Sequence, residues 1–302
     1  MRRERLLLLA LALLVALVWL AGAAQYRPLT LTFLDVGQGD SLLIQTPDHR
    51  NVLVDGGGRP GLDPRAFDVG RQVVVPSLLV KGVRRLNAVV VTHPHEDHCG
   101  GLAAVLDQVP TDLLLVPASA PHPTPAYERL LRLAAEHRIP VRRVREGMSL
   151  YLGKGLGCRV LGPPRQPLAG TGSDQNNNSV VLLVGYGSFR ALLPGDIERP
   201  AEQYLVRRHA PLRCTLLKVA HHGSDTSTGR GFLAAAHPGL AVISVGQNNA
   251  FGHPHRETLA RLQAAGVRVY RTDWQGALVA TSDGHGCRLR APRAPDRTAL
   301  PF

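Results

Sequence analysis

Apolar positions in this chain recur with two different periods. Alternation of apolar and polar residues predicts three strands within 29–54, and a helical period follows at 69–80. The apolar run Ala88-Val89-Val90-Val91 predicts a buried strand, and 102–106 a helix. Residues 113–115 read as a short buried strand, 127–137 as an amphipathic helix and 141–144 as a further strand. Alternating segments at 149–152, 158–161, 180–184 and 189–193 predict antiparallel β structure, with Gly185-Tyr186-Gly187 as a turn. After Asp196 the pattern changes. Helices are predicted at 198–208, 231–236 and 257–265, alternating with strands at 215–220, 241–245 and 267–270, the last of edge type before a short terminal hairpin. Such an order defines an α/β protein of two sheets, each covered on its outer face by helices.

No low-complexity linker, heptad or fixed-period repeat interrupts the 302 residues, and 44% apolar composition can bury one large core. Pro163-Pro164 and the stretch 170–178 read as a loop between a strand and a hairpin. The expected organisation is one domain over 25–291 with a disordered tail at 292–302. Ahead of it, Arg2, Arg3 and Arg5 precede an apolar run from Leu6 to Leu20, and Ala21-Gly22-Ala23-Ala24 supplies the small residues of a cleavage site. The same run approaches bilayer-spanning length. Residues 1–24 therefore read as a cleaved signal peptide or as an uncleaved membrane anchor. Either way the domain is secreted or held on the outer face of the cytoplasmic membrane.

The densest chemistry follows the strand at Ala88, in Thr92-His93-Pro94-His95-Glu96-Asp97-His98. Imidazoles and a carboxylate at the end of a buried strand are costly without a partner. A divalent cation is the partner that uses neutral His and ionised Asp together. In an extended loop His93 and His95 project to one side, while Asp97 and His98 follow on a turn into Gly100-Gly101. Two ligand pairs of this kind can serve two adjacent ions.

His93-x-His95-x-Asp97-His98 resembles the signature of the metallo-β-lactamase fold, and Leu34-Asp35-Val36-Gly37-Gln38-Gly39-Asp40, Pro194-Gly195-Asp196 and His221-His222-Gly223-Ser224 extend the match. More narrowly, the chain resembles the soluble metallo-β-lactamase-like domain of the ComEC family of DNA-uptake channel proteins. Asn177-Asn178-Ser179, Ser244-Val245-Gly246 with Asn248, and Gly252-His253-Pro254-His255 are further matches, and the similarity runs from about Leu29 to about Leu289. This resemblance implies a four-layer αβ/βα sandwich with a metal cleft at one edge, holding two divalent metal ions, zinc or manganese. In that family the domain rides on a polytopic membrane protein. Here no second hydrophobic span is read, so a role in uptake requires a separate membrane channel as partner.

The resemblance also implies roles. His93 and His95 bind one ion, Asp97 and His98 the other, and Asp196 bridges the two. His222 is the favoured further ligand, with His221 and His253 as alternatives, and Asp97, Asp196 and His222 form the catalytic group. If the strand stays extended through His221 and His222, their side chains leave opposite faces and one of them reaches the metals. His255 reads as a helix cap or a hydrogen-bonding partner of the site. Asp35, Asp40 and Asp55 are expected to orient ligand His residues by hydrogen bonds, with ordinary turn roles competing for Asp40 and Asp55. Lys218, Ser224 and Thr226 are candidates to steady a phosphate, Lys218 alternatively snorkelling outward. Asn178 joins the residues expected beside ligands or substrate.

One departure stands out. Many members of the wider fold carry a further His on the strand before the Gly-Asp motif, whereas this chain has Asp174-Gln175-Asn176-Asn177-Asn178-Ser179. The first ion is therefore expected to have fewer protein ligands, or an oxygen from Asp174 or an Asn, and to accept manganese as well as zinc.

The formal charge of +12 favours a polyanionic partner, DNA or anionic lipid. Aromatic content is only 5%, and no run of Arg interleaved with aromatics marks a single-strand groove. Cys99, Cys158, Cys214 and Cys287 permit disulfides without showing any. Cys99 reads either as a group near the metals or as a small apolar residue starting a helix. Together these features point to an exported metal-dependent hydrolase, a nuclease or phosphodiesterase acting on DNA and linked to competence. Hydrolysis of a small ester, lactone, β-lactam or thioester is the alternative on the same fold. A non-catalytic DNA- or channel-binding module is the third reading.

Overall fold

The computed structural model describes residues 2–23, 27–59 and 67–291, so the tail expected at 292–302 lies outside the described residues. Six strands come first: β1 (Leu29–Phe33), β2 (Leu42–Gln45), β3 (Asn51–Val54), β4 (Ala88–Val90), β5 (Leu114–Pro117) and β6 (Val141–Val144). Seven more follow: β7 (Ser149–Tyr151), β8 (Leu156–Gly162), β9 (Val181–Tyr186), β10 (Phe189–Leu193), β11 (Leu216–Lys218), β12 (Leu240–Ile243) and β13 (Arg268–Arg271). The hairpin β14 (Leu278–Ser282) and β15 (Arg288–Arg290) ends the described chain.

These strands form an eight-stranded sheet in the order β15-β14-β1-β2-β3-β4-β5-β6 and a seven-stranded sheet in the order β13-β12-β11-β10-β9-β8-β7. The last hairpin thus returns to the first sheet, with Leu29 opposite Ser282 and Phe33 opposite Leu278. β13 is the edge strand that the sequence predicts. Each sheet is mixed: β3 to β6 run parallel, as do β10 to β13. Parallel strands need both faces covered, and the side-chain pattern supplies two apolar faces.

Period-2 alternation sorts the core. Leu29, Leu31 and Phe33 of β1, Leu42 and Ile44 of β2, and Ala191 and Leu193 of β10 meet between the sheets. Leu43, Leu53 and Val89 face outward, under the helices Val75–Val80, Leu102–Gln108 and Pro125–Glu136. On the second sheet Leu192, Leu217 and Ile243 face outward, under the helices Arg199–Arg207, Arg230–Ala236 and Arg256–Ala264. Each fully buried Leu or Phe contributes about 1.5–3 kcal/mol. The result is the four-layer α/β sandwich.

Local differences from expectation have physical causes. The stretch read as a loop at 170–178 contains the short helix Asp174–Asn177. Its residues are all polar, so no apolar period betrays it. β11 stops at Lys218, and Ala220–Gly223 forms a 3-10 turn in which His221 (φ 50°, ψ 46°) and His222 (φ 53°, ψ 20°) are both left-handed. The expected extended strand end is therefore absent there. The segment Arg2–Ala23 is helical, and among the described residues no helix is long and apolar enough to cross a membrane.

Candidate metal centre

Residues following β3 (Asp55), β4 (Thr92 to His98), β10 (Asp196), β11 (His222) and β12 (Ser244) converge, as expected at the carboxyl ends of parallel strands. Two glycines permit the close approach of the loops. A Cβ on Gly39 (φ 131°) would stand 2.2 Å from the Asp97 carbonyl oxygen, and one on Gly58 (φ 154°) 1.9 Å from that of Glu96. Thr124 ties the following helix to the same loop, its hydroxyl donating to the Pro94 carbonyl at 2.6 Å.

At the centre, one donor atom each from Asp97, His98, Asp196 and His222 lie within 4.8 Å of one another. His98 Nε2 is 3.0 Å from Asp196 Oδ2, and His222 Nε2 is 3.1 Å from Asp196 Oδ2 and 3.3 Å from Asp97 Oδ2. The far nitrogens are fixed from behind: His98 Nδ1 lies 2.9 Å from Asp55 Oδ2, and His222 Nδ1 2.9 Å from the Ser244 carbonyl oxygen. A carbonyl can only accept, so Nδ1 of His222 carries the proton and, in the neutral ring, Nε2 presents a lone pair. That Nε2 is buried and faces the Asp196 and Asp97 carboxylate oxygens. Two imidazole nitrogens and two carboxylate oxygens with buried partners behind the rings fit a divalent cation.

The carboxylates shift both central rings toward the protonated form. Burial works against charge on His98, yet Asp196, Asp55 and Asp97 outweigh it and raise its pKa well above the usual value. Burial is likewise overcome at His222, chiefly by Asp196, and its pKa is pushed up to about 10. Burial resists ionisation of Asp196, but His222, His98 and Lys218 bring its pKa well below the usual carboxylate range. The left-handed backbone of His221 and His222 costs on the order of 1–2 kcal/mol per residue. That strain swings His222 into the group while His221 turns to Glu198, with Nδ1 3.2 Å from Oε1.

His93 and His95 form a separate pair beside this group. His93 Nε2 and His95 Nδ1 stand 3.1 Å apart, close to the roughly 3.3 Å between two imidazole ligands on one tetrahedral ion. Burial lowers the pKa of both rings, with His98 adding to the effect at His93, so both favour the neutral form that ligates metals. The Asn-rich stretch contributes little. Asp174 accepts from the amides of Gly170 and Thr171. Asn178 bonds the Leu168 backbone and the Asp174 carbonyl and so braces the loop. Asn176 Oδ1 is buried without a hydrogen-bond partner.

Lys218 does not snorkel outward. Leu216 faces the gap between the sheets, so alternation sends Lys218 to the same side, where it is buried. Its Nζ pairs with Asp40 Oδ2 and lies 3.2 Å from Asp196 Oδ1. Burial lowers and these two carboxylates raise its pKa, to about 12. Asp196 thus turns Oδ1 to an ammonium and Oδ2 to the imidazoles. Asp55, for which a turn role competed, holds His98 and also accepts from Thr92 N–H and Oγ1–H at 2.8 and 2.7 Å. Asp35 is exposed and accepts from the Gly37 amide, so it belongs to the turn and not to a ligand His.

The remaining candidates lie at the rim. His253 is near Gln38 Nε2 and packs edge-on against His221, outside the four-donor group, and burial together with His222 pushes its pKa down to about 4. His255 Nδ1 accepts from the Asp225 amide at 2.9 Å. The Ser224 and Thr226 hydroxyls bond each other at 3.0 Å. Cys99 is buried, with Sγ donating to the Pro94 carbonyl, and all four cysteines are free thiols. Thr92 and Ser244 fall within segments that the sequence singles out, though their roles do not follow from it, and Glu198, two positions beyond Asp196, is not singled out.

The fold and the donor set are those of a metal-dependent hydrolase. Residues 34–247 match the family model of the metallo-beta-lactamase superfamily, and the chain belongs to that superfamily. It is 34% identical over 253 residues to ComE operon protein 3 of Bacillus subtilis, covering 81% of this chain and 32% of that protein. It is 32% identical over 271 residues to competence protein ComA of Neisseria gonorrhoeae, covering 87% and 35% respectively. The chain thus spans about a third of the length of these curated relatives. Among solved structures, the diiron beta-hydroxylase CmlA of Streptomyces venezuelae superposes with a TM-score of 0.54 at 15% identity, over 88% of this chain and 55% of that one, a likeness of fold alone.

Proposed function

We propose that this chain is a metal-dependent phosphodiesterase that hydrolyses DNA in the course of DNA uptake, exported and either free or anchored outside the cytoplasmic membrane. The observation that carries the reading is the convergence of Asp97, His98, Asp196 and His222 on one point, in a chain with a relative named competence protein ComA. The same four residues would hold one divalent ion, zinc or manganese, and His93 with His95 would hold its neighbour. When bound, such ions activate water and offset charge on phosphate oxygens.

The chain's own residues set the geometry. Asp55 and the Ser244 carbonyl fix the ring orientations of His98 and His222, leaving Nε2 of each toward the centre. Lys218 pins one oxygen of Asp196 and so fixes the direction of the other. His221 and His253 pack edge-on against each other beside His222. The net positive charge attracts a phosphodiester polymer over a neutral ester.

The test is a substrate panel on purified protein with and without added manganese: DNA, a small phosphodiester, a thioester, a lactone and a β-lactam. Cleavage of DNA, lost in Asp97→Asn, is the expected result. Turnover of one of the non-phosphate substrates with none on DNA overturns the reading.

A further inference from the structure

A basic groove of about 710 Å³ lies on the outer face of the second sheet, lined by the helices Arg199–Arg207 and Arg256–Ala264 and by the first turn of Arg230–Ala236. Four guanidinium groups line it, from Arg199, Arg207, Arg230 and Arg261, against the carboxylates of Glu202 and Glu257. Glu202 is already engaged by the amides of Thr228 and Gly229. Arg261 is committed to the carbonyls of Ser227 and Thr228, and Arg199 to that of Asp225. Arg207 and Arg230 are different. Both are exposed, and among the described residues neither has a hydrogen-bond or ion-pair partner for its side chain. Val206, Phe232 and Ala260 give the same groove an apolar lining.

The groove and the metal centre are connected through the segments that build them. Arg199 stands three residues after Asp196, and its amide donates to the Thr226 carbonyl at 3.0 Å. The loop that leaves His222 runs on to Gly229 at the groove, and the His255 amide donates to the Gly223 carbonyl at 3.0 Å just before the third helix. These arginines come from three separate segments, which is why no basic run appears in the sequence.

Free guanidinium groups beside apolar surface match one ligand chemistry, a nucleotide: the phosphate takes charge-assisted hydrogen bonds and the base covers apolar surface. The cavity is within the range of about 300–1,000 Å³ usual for ligand sites. We propose that this groove is an anchoring site for the backbone of a DNA strand, holding nucleotides beyond the linkage that is cut, with Arg207 and Arg230 as its phosphate contacts. This inference rests on the phosphodiesterase reading for its substrate, but not for its binding test.

The experiment uses the full chain in chelator and measures fluorescence anisotropy of labelled single-stranded oligonucleotides of about 20 nucleotides over a range of salt. The double variant Arg207→Ala with Arg230→Ala is expected to bind about tenfold more weakly, with the salt slope reduced by about 1.4 for two lost contacts. Hydrolysis of a small phosphodiester, with manganese restored, should be unchanged. A control pair, Arg129→Ala with Arg132→Ala on the helix covering the first sheet, removes the same charge and should change binding little. Equal affinity in the groove variant and wild type, or an equal loss in the control pair, overturns the site. Tight binding of a mononucleotide that matches the oligonucleotide also overturns it, since the groove would then serve a free nucleotide. If the wild type hydrolyses no phosphodiester but the groove variant loses oligonucleotide binding, the catalytic reading falls and the groove stands.

Discussion

Asp196 divides its two oxygens between unlike neighbours: Oδ1 stands 3.2 Å from the Lys218 ammonium, while Oδ2 stands 3.0 Å from His98 Nε2. A fixed positive charge is therefore part of the buried site whether or not a metal is bound. Asp40 completes the pair behind it. Replacing Lys218 by Met leaves Asp40 and Asp196 buried without their cation. Breaking a buried pair in this way costs about 3–5 kcal/mol. Urea unfolding of the metal-free Lys218→Met protein should show that loss, and added divalent cation should return part of it, because the ion compensates Asp196. Equal midpoints for variant and wild type would show that the ammonium plays no such part.

His95→Ala and Asp97→Asn each remove a donor from a loop without opening the apolar core. His95 is half-buried and the Asp97 side chain is 18% exposed. Phosphodiester hydrolysis should fall by at least about a hundredfold in either variant, a loss of at least 2.7 kcal/mol in transition-state stabilisation. The urea midpoint should change little. Undiminished turnover in preparations freed of contaminating nuclease would rule out the centre.

With Asp174, Asn177 and Asn178 committed elsewhere, an ion beside His93 and His95 would have few protein donors. It should be weakly held. Activity lost in chelator should return more fully with manganese than with zinc, and Asn176→His should shift that preference toward zinc. Two tightly bound zinc ions and full activity, found by metal analysis after purification without added metal, would contradict the open site and leave the other donor group untouched.

Burial, only partly opposed by the Gly229 and Thr228 amides, pushes the Glu202 pKa up to about 7. The unfolded chain releases this proton near pH 4.5 while the fold retains it, so the contribution to stability is full below that pH and is lost as pH rises toward about 7. Above that it is flat. Glu202→Gln removes this titration, so the difference in unfolding free energy between variant and wild type should change between pH 4.5 and 7 and be constant above 7. A difference that is constant across the whole range would show that Glu202 ionises normally in the fold.

The sequence was most informative where function is local. His93, His95, Asp97 and His98 occupy one loop, so spacing alone placed them together. Alternation predicted most of the strands, and the two-sheet architecture followed from their order. Other features depend on pairing between distant strands. Lys218 meets Asp196 because β11 lies parallel to β10, and its inward direction follows from the parity of Leu216, which a snorkelling argument overlooked. The left-handed backbone of His221 and His222 leaves only a weak trace in residue type, since His is enriched at positive φ yet mostly adopts negative φ. Asp35 and Asp55 show the limit from the other side. Both precede glycine-containing turns, yet only Asp55 follows a parallel strand that delivers it beneath His98.

The pairing of β1 with β14 also bears on how the chain is made. Leu29 finds its partner Ser282 only after all of the intervening sequence has been synthesised, so β1 lacks its second neighbour through most of the synthesis of the domain. Until then β1 offers an open edge of Leu29, Leu31 and Phe33 with unpaired backbone groups, a template for association with another nascent chain. Truncation before Leu278 would make that state permanent. Expression of such a fragment should therefore give aggregate, even though every residue of the metal centre would be present.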